Sequence, residues 1–514
     1  MPEPRLENSV IKVRQLIEDY RAGRIVIPEF QRDYVWKKSR APKLVDSLYR
    51  GYPVSSLLLW VTTTTARPRR RDPRPSRASL TNWLIDGQQR VITLSRCLSG
   101  DEGLDIVFHP EDRAFRLANA ATDRDANWFR LAEIWDDDLY RNLRRNLTGA
   151  RAEAREAEFE RVRRILEYEV PVVRMVDHSF EDAVNAFSRI NTLGVKLKAE
   201  DIESAKIAAR HSGFIADHVA PFLEQLHRQG FTRVNVMHLF RTCAFIARPD
   251  GRSRTPLHEL ETRDVLDAWS KSKRAAEDGL NLVRSELGLV NMDILWSGAL
   301  LVPVMALCAI QGPRDRHAKA MAAWLAVAAL FHRYSKAAES ALDQDLKACR
   351  AGDPIGALLT NLRRDEGKGG IRVYPDDFSG ALVDKGGLLG IYVACRHRGL
   401  RDLFTNGEII LQPKVERHHI LPRAQFREKH RGTADCVANI AFVTEATNRT
   451  ISMSGPEVYL AKIPAKVLRS QCIPTDRDLW SIDRAADFWE ARRDLLSESF
   501  NEFLRAALPD RRLS

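Results

Sequence analysis

The spacing of apolar residues changes near residue 200, and that change constrains the fold more than any other feature of the chain. Before it, short β-branched and aromatic runs alternate with stretches whose apolar residues recur every three or four positions, the pattern of a mixed α/β structure. From about 200 to 365 the three-and-four spacing takes over and strand candidates become few. A chain of 514 residues is too long for a single hydrophobic core, and typical domain lengths suggest about three parts. The sequence therefore predicts an α+β multidomain protein, with an α/β part over 1–205, a helical middle over 206–370 and a third part over 371–514. The EGKGG stretch at 366–370 reads as the linker before the last part. No internal repeat is present.

Punctuation residues set the expected elements of the first part. Ile25 to Ile27 reads as a short strand, Ser39 as the cap of a helix through Leu48 that Gly51 ends, and SSLLLWVT (55–62) as a buried strand. RPRRRDPRPSR (67–77), with six arginines and three prolines, cannot pack a core and predicts an exposed loop. NWLID then reads as a strand and QQRVITLSRCL as a helix with Gly100 past its end. A charged helix follows over Ala150 to Leu166, then the strand EVPVVRMV, then SFEDAVNAFSRINTLG, a helix with Ser179 as cap and Gly194 as stop. The apolar stretch from Trp296 to Ile310 is interrupted by Pro303 and too short to cross a bilayer, so it predicts a buried core helix.

The N-terminal MPEPRLENSV has no apolar signal region, which points to a cytoplasmic protein without membrane attachment. Seven scattered cysteines without a C-x-x-C pair argue against a disulfide framework or zinc ribbon and read as small buried apolar residues. The net charge of +11 suits a polyanionic partner, because neutralising phosphates releases counterions, although many basic chains bind no nucleic acid.

The segment VERHHILPRAQF (415–426) sets His418 beside His419. On an extended segment adjacent side chains point to opposite faces, so one imidazole can bind a metal while the other accepts a proton. Downstream, DCVANIAFVTEATNRTIS places Asn439 and Asn448 nine residues apart, and a strand at NIAFVT followed by a helix from about Glu445 would return Asn448 toward the histidines. This set resembles the HNH, or ββα-metal, nuclease motif. The resemblance implies a catalytic pair of His419 as general base and Asn439 as the residue that holds loop and base, with His418 and Asn448 as metal ligands. Histidine at 418, where many relatives have an acid, leaves the metal open between Mg2+, Mn2+, Zn2+ and Ni2+.

LIDGQQRVITL (84–94) sets Asp86 and Gly87 between a strand and a helix start, where free N–H groups and Arg90 offer an anion site. Read alone, a strand-to-helix turn with glycine is also an ordinary structural turn. No Walker-type G-x-x-x-x-G-K-S/T is present. IPEFQRDYVW (27–36), LVDSLYRGYPVSSLLLW (44–60), DGQQR and FSRINTLGVKLKAEDI (187–202) occur in an order that resembles the ParB-like N-terminal domain of GmrSD-type, modification-dependent restriction proteins, and the C-terminal HHILP, the asparagine pair and GPEVYLAKIP resemble that family's partner domain. The likeness implies nucleoside triphosphate binding and hydrolysis, GTP or ATP, by Asp86, Gly87, Gln88, Gln89 and Arg90, with Gln31 and Arg32 opposite and Arg189 and Asn191 as neighbours. Arg189 and Asn191 are equally open to pairing at the end of their helix. Phe30, Tyr34 and Trp36 could line a pocket that tests a modified base by stacking, with core packing the alternative for at least two of them.

Together these readings predict a type IV-like anti-phage defence endonuclease with an NTP-binding, DNA-sensing first part, a helical spacer and an HNH third part acting on double-stranded, modified phage DNA. One active site per chain would need a homodimer or two visits for a double-strand break. Two rivals share the residues: a nucleotide-switched DNA-binding regulator with a decayed nuclease half, and an HNH enzyme that cuts RNA.

Overall fold

The computed structural model describes residues 3–508 except 32–33, 35, 63–67, 69–80, 100–103, 150, 194–198, 249–255, 313–314, 363–370, 382–383, 410–414, 427–431 and 452–453. The predicted arginine-proline loop, apart from Pro68, and the EGKGG linker lie outside the described residues. The chain forms two compact units, Met1–Ala220 and Pro221–Ser514.

The first unit is built on a five-stranded sheet. In chain order it contains β1 (Arg5–Lys12), α1 (Val13–Arg21), β2 (Ile25–Val26), α2 (Arg40–Tyr49), β3 (Leu57–Thr62), β4 (Thr81–Asp86) and α3 (Gln88–Ser99). These are followed by β5 (Ile106–His109), β6 (Ala114–Leu117), β7 (Phe129–Arg130), α4 (Leu131–Trp135), α5 (Asp137–Arg145), α6 (Ala152–Arg163), β8 (Glu169–Val176), α7 (Phe180–Leu193) and α8 (Ala199–Arg210). The sheet runs β1-β8-β3-β4-β2, and β3 sits at its centre, parallel to β8 and antiparallel to β4. That position explains LLLWV, five consecutive buried residues, since a central strand is covered on both faces. β1 is the opposite case, an edge strand with mostly exposed residues and charges at Arg5, Glu7 and Lys12 that discourage further pairing. β6-β5-β7 form a small second sheet. The cap predicted at Ser179 is present: its hydroxyl oxygen accepts the Asp182 N–H at 3.0 Å. Ser39 stands at the predicted N-cap of α2 but makes no side-chain cap bond.

The second unit contains α9 (Ala220–Arg228), α10 (Val236–Ala247), α11 (Thr262–Leu287), α12 (Leu301–Gln311), α13 (Asp315–Leu330), α14 (Ala338–Ala348), α15 (Pro354–Thr360) and α16 (Lys385–His397). It ends with β9 (Val415–His419), β10 (Ile440–Thr444), α17 (Glu445–Ile451), α18 (Pro456–Tyr459), α19 (Ala465–Ser470) and α20 (Ala485–Ala507). α12 is the apolar helix expected around Trp296 to Ile310, and its residues Leu301 to Cys308 are all buried. α16 lies buried against α13 and α20. It approaches α13 through glycine: a Cβ on Gly386 would stand 2.4 Å from the Ala329 carbonyl oxygen, closer than real contacts allow. The expected boundary at 370 therefore falls inside a single compact unit, in which the helical middle and the C-terminal segment share packing. The seven cysteines are free, and all but the half-buried Cys436 are buried. Among the described residues no helix is long and apolar enough to cross a membrane.

Candidate active site

VERHH forms β9 and NIAFVT supplies β10, which pair antiparallel with His419 opposite Ile440 and His418 opposite Ala441. α17 begins directly after β10, so its fourth residue, Asn448, is carried back over the hairpin. His418 Nδ1 and Asn448 Oδ1 lie 2.9 Å apart. Strand alternation sends His418 inward, where its ring edge meets the Tyr459 ring at 5.8 Å between centroids. Burial pushes the His418 pKa below its ordinary value against the opposing effect of the Asn448 bond, with the neighbouring His419 adding to the lowering. Its Nε2 is buried and has no hydrogen-bond partner.

His419 faces the other side of the strand and is half-buried. Its Nε2 lies 3.0 Å from Asp435 Oδ1, and Asp435 Oδ2 forms an ion pair with Arg423 Nε 3.2 Å away. His419 is thus held by a carboxylate, whereas His418 meets Asn448.

Asn439 is fully buried, and its amide has no free group. Oδ1 accepts the Leu421 N–H at 2.9 Å, while Nδ2 donates to the carbonyls of Leu421 and Ala434, each at 3.0 Å. Its backbone carbonyl accepts the Ile420 N–H at 2.8 Å. The Asn439 side chain is therefore wholly engaged in holding the backbone around the hairpin.

Four further residues brace the hairpin, and sequence reasoning missed all of them. The buried Asp402 carboxylate accepts the Thr444 N–H at 2.7 Å, the Thr405 N–H at 2.9 Å and the Thr447 hydroxyl, fixing the start of α17 next to Asn448. Burial alone would raise the Asp402 pKa, but these donors outweigh it and hold the carboxyl below the usual range. Arg492, also fully buried, donates to the carbonyls of Ala438 and Ile440 at 2.6 and 2.7 Å, on either side of Asn439. Tyr459, from the GPEVYLAKIP stretch, donates its hydroxyl to the Ile420 carbonyl at 2.7 Å. Asp435 was overlooked although it stands four residues before Asn439 in DCVAN, where an acid close to a motif asparagine was a usable signal.

The DGQQR segment forms the predicted strand-to-helix turn. Gly87 has φ +100°, and a Cβ there would stand 2.2 Å from Leu57 Cδ2, so no larger residue fits. Arg90 differs from the expected free anion ligand. Its NH1 donates to the carbonyls of Val54 and Ser55 at 2.5 and 2.6 Å, and its NH2 donates to the Ser56 carbonyl at 2.8 Å and Asp86 Oδ2 at 3.3 Å. Burial lowers its pKa, opposed by the Asp86 charge. The guanidinium is a clamp between the turn and the segment before β3. Gln31 is likewise structural, donating to the Ile85 carbonyl at 2.7 Å, and Gln89 Oε1 accepts the Trp36 N–H at 3.2 Å. Gln88 Oε1 is buried without a partner. Arg189 is exposed on α7, whereas Arg32 and the side chain of Asn191 lie outside the described residues.

Of the three aromatic residues, Phe30 is buried, and Tyr34 and Trp36 pack half-buried against the first unit's core. The Tyr34 hydroxyl lies 2.9 Å from Thr93 Oγ1, and the Arg96 guanidinium covers its ring at 4.6 Å.

Residues 13–208 match the family model of the GmrSD restriction endonuclease N-terminal domain. Over that stretch the chain is similar to the N-terminal domain of GmrSD-type restriction proteins. The matched stretch covers the five-stranded sheet from α1 onward, the DGQQR turn and α7, so the likeness expected for 1–205 holds over nearly all of that range. Comparison with the curated proteins found no match.

Proposed function

We propose that this protein is a GmrSD-type enzyme that cuts modified double-stranded DNA in anti-phage defence, using a metal-dependent HNH site at His418, His419 and Asn448. The observation that carries the reading is the 2.9 Å separation of His418 Nδ1 and Asn448 Oδ1 on a strand-strand-helix unit, with His419 on the opposite face. Neighbouring ligands of a small octahedral ion with bonds of about 2.1 Å stand about 3 Å apart, so the two atoms fit a shared cation. The unpartnered His418 Nε2 supports the fit, because it can carry the ring proton when Nδ1 gives up its own. Among the described residues no group of three or more His, Cys, Asp or Glu forms a ready cage. The remaining ligands would be water and phosphate oxygens, as magnesium sites commonly use.

A bound divalent cation supplies charge stabilisation at the phosphate and the leaving oxygen. His419 Nδ1 takes the proton of the attacking water while Nε2 stays held. Asn439 fixes the chain just after His419, and Asp402 fixes the helix that presents Asn448. Mg2+ and Mn2+ are the first metals to test, with Zn2+ and Ni2+ beside them. The N-terminal domain binds a nucleoside triphosphate, GTP or ATP, at the DGQQR turn. The buried Gln88 Oε1 supports that reading, and the structural engagement of Arg90 makes Asp86 and Gln88 better candidates for ligand contact.

The deciding experiment is cleavage of matched plasmid and phage DNAs that differ only in base or backbone modification, with each metal and triphosphate added or withheld. H419A should lose cleavage by about 10²-fold or more while still binding DNA. H419A cutting at the wild-type rate would remove the reading. An RNA competitor that outruns DNA would move the substrate class.

A further inference from the structure

A general base works only if its ring is held with the correct nitrogen free, and nothing in the His418-His419 pair does that for His419. Asp435 does. Its Oδ1 lies 3.0 Å from His419 Nε2, and an ionised carboxylate can only accept, so Nε2 carries the hydrogen and Nδ1 keeps its lone pair. Arg423 Nε engages the second oxygen at 3.2 Å, which keeps the carboxylate from turning away.

The backbone on both sides of this contact is fixed by one buried amide. Asn439 grips Ile420 and Leu421, the residues after His419, and Ala434, the residue before Asp435. The two halves of the pair therefore share a frame. Side-chain exposures of 24% for His419 and 30% for Asp435 leave the pair accessible to solvent. A contact so exposed contributes only about 0–1 kcal/mol to stability. Folding alone does not account for an acid placed on the base and backed by an arginine.

We propose that Asp435 is the positioning residue of His419, its carboxylate holding Nε2 and leaving Nδ1 as the proton acceptor, with Arg423 steadying the carboxylate. This rests on the nuclease reading and adds to it a residue that touches neither substrate nor metal.

The test is a double-mutant cycle on the full-length protein, read by cleavage kinetics, DNA affinity and Mn2+ binding by calorimetry. D435A should lower kcat about ten- to a hundredfold, a part of the roughly 10²–10⁴ that a positioned base contributes, with KM, DNA affinity and Mn2+ affinity unchanged. In an H419A background D435A should cost nothing further, because the ring it positions is gone. The isosteric D435N, whose amide oxygen can still accept from Nε2, should fall between D435A and the wild type and serves if D435A melts early. Wild-type kcat in D435A and D435N would overturn the proposal, as would losses that add fully to those of H419A. Loss of Mn2+ binding in D435A would make Asp435 a ligand and overturn it as well. An H419A protein that cleaves normally breaks the nuclease reading first, whereas an inactive H419A beside a fully active D435A sinks this inference alone.

Discussion

At the scale of single residues, the asparagines divide the labour that the sequence assigned to them together. Asn448 presents an oxygen to His418, while Asn439 has all its polar atoms engaged with backbone. N439A would leave a buried N–H and two buried carbonyls without their side-chain partner, at about 1–3 kcal/mol for each group truly stranded. We expect N439A to destabilise the second unit by about 2–4 kcal/mol in urea unfolding and to lose cleavage even where it remains folded. An N439A protein with wild-type unfolding would contradict the hydrogen-bond geometry. The histidine pair and both asparagines were legible from residue type and spacing. Asp402 and Arg492 were not, because an isolated acid or arginine in a chain where 29% of residues are charged carries no signal until its partners are known.

At the scale of elements, caps and turns followed local chemistry, and one of them is a pH sensor of stability. α10 begins with a capping box in which the Asn235 side chain accepts the His238 N–H and His238 Nδ1 accepts the Asn235 N–H at 3.0 Å. Burial lowers the His238 pKa to about 4. Its folded-state pKa lies below the unfolded value near 6.5, so between these values the unfolded chain binds more protons and stability falls as pH falls. Above pH 6.5 this group contributes no slope. Denaturant unfolding from pH 7.5 to 4 should lose up to about 3 kcal/mol through this group, and H238Q, which can keep the capping box, should lack that component. Equal pH slopes in the two proteins would refute the assignment. The predicted strands at 25–27, 55–62 and NIAFVT and the helices from Gln88 and Glu445 all formed, because their apolar period and boundary residues agree. The small β6-β5-β7 sheet went unread, since AFRL and the two-residue β7 are too short and too mixed to show a period, and their pairing with β5 makes them strands.

At the scale of the whole molecule, the composition of EGKGG suggested a boundary near 370, yet residues on its two sides pack together. Gly386 and Gly390 of α16 lie against Ala329 and Leu330 of α13, and the Ser499 hydroxyl of α20 donates to the Ala394 carbonyl of α16 at 2.8 Å. A fragment 371–514 would expose the α13-facing side of α16. We expect it to be insoluble or molten, whereas 221–514 should melt cooperatively and bind Mn2+ by calorimetry. A well-folded 371–514 fragment would restore a separate third domain.

The sequence by itself determined the period change near 200, most of the elements of the first unit, the histidine-asparagine set and the likeness of the first unit to a restriction-endonuclease N-terminal domain, because these follow from local spacing and from short motifs. Only the tertiary structure decided which carboxylate holds His419, that Arg90 is engaged by three carbonyls, and that 221–514 is one unit. Those outcomes depend on contacts between residues far apart in the chain, where burial and hydrogen-bond geometry, rather than local preference, select the partner.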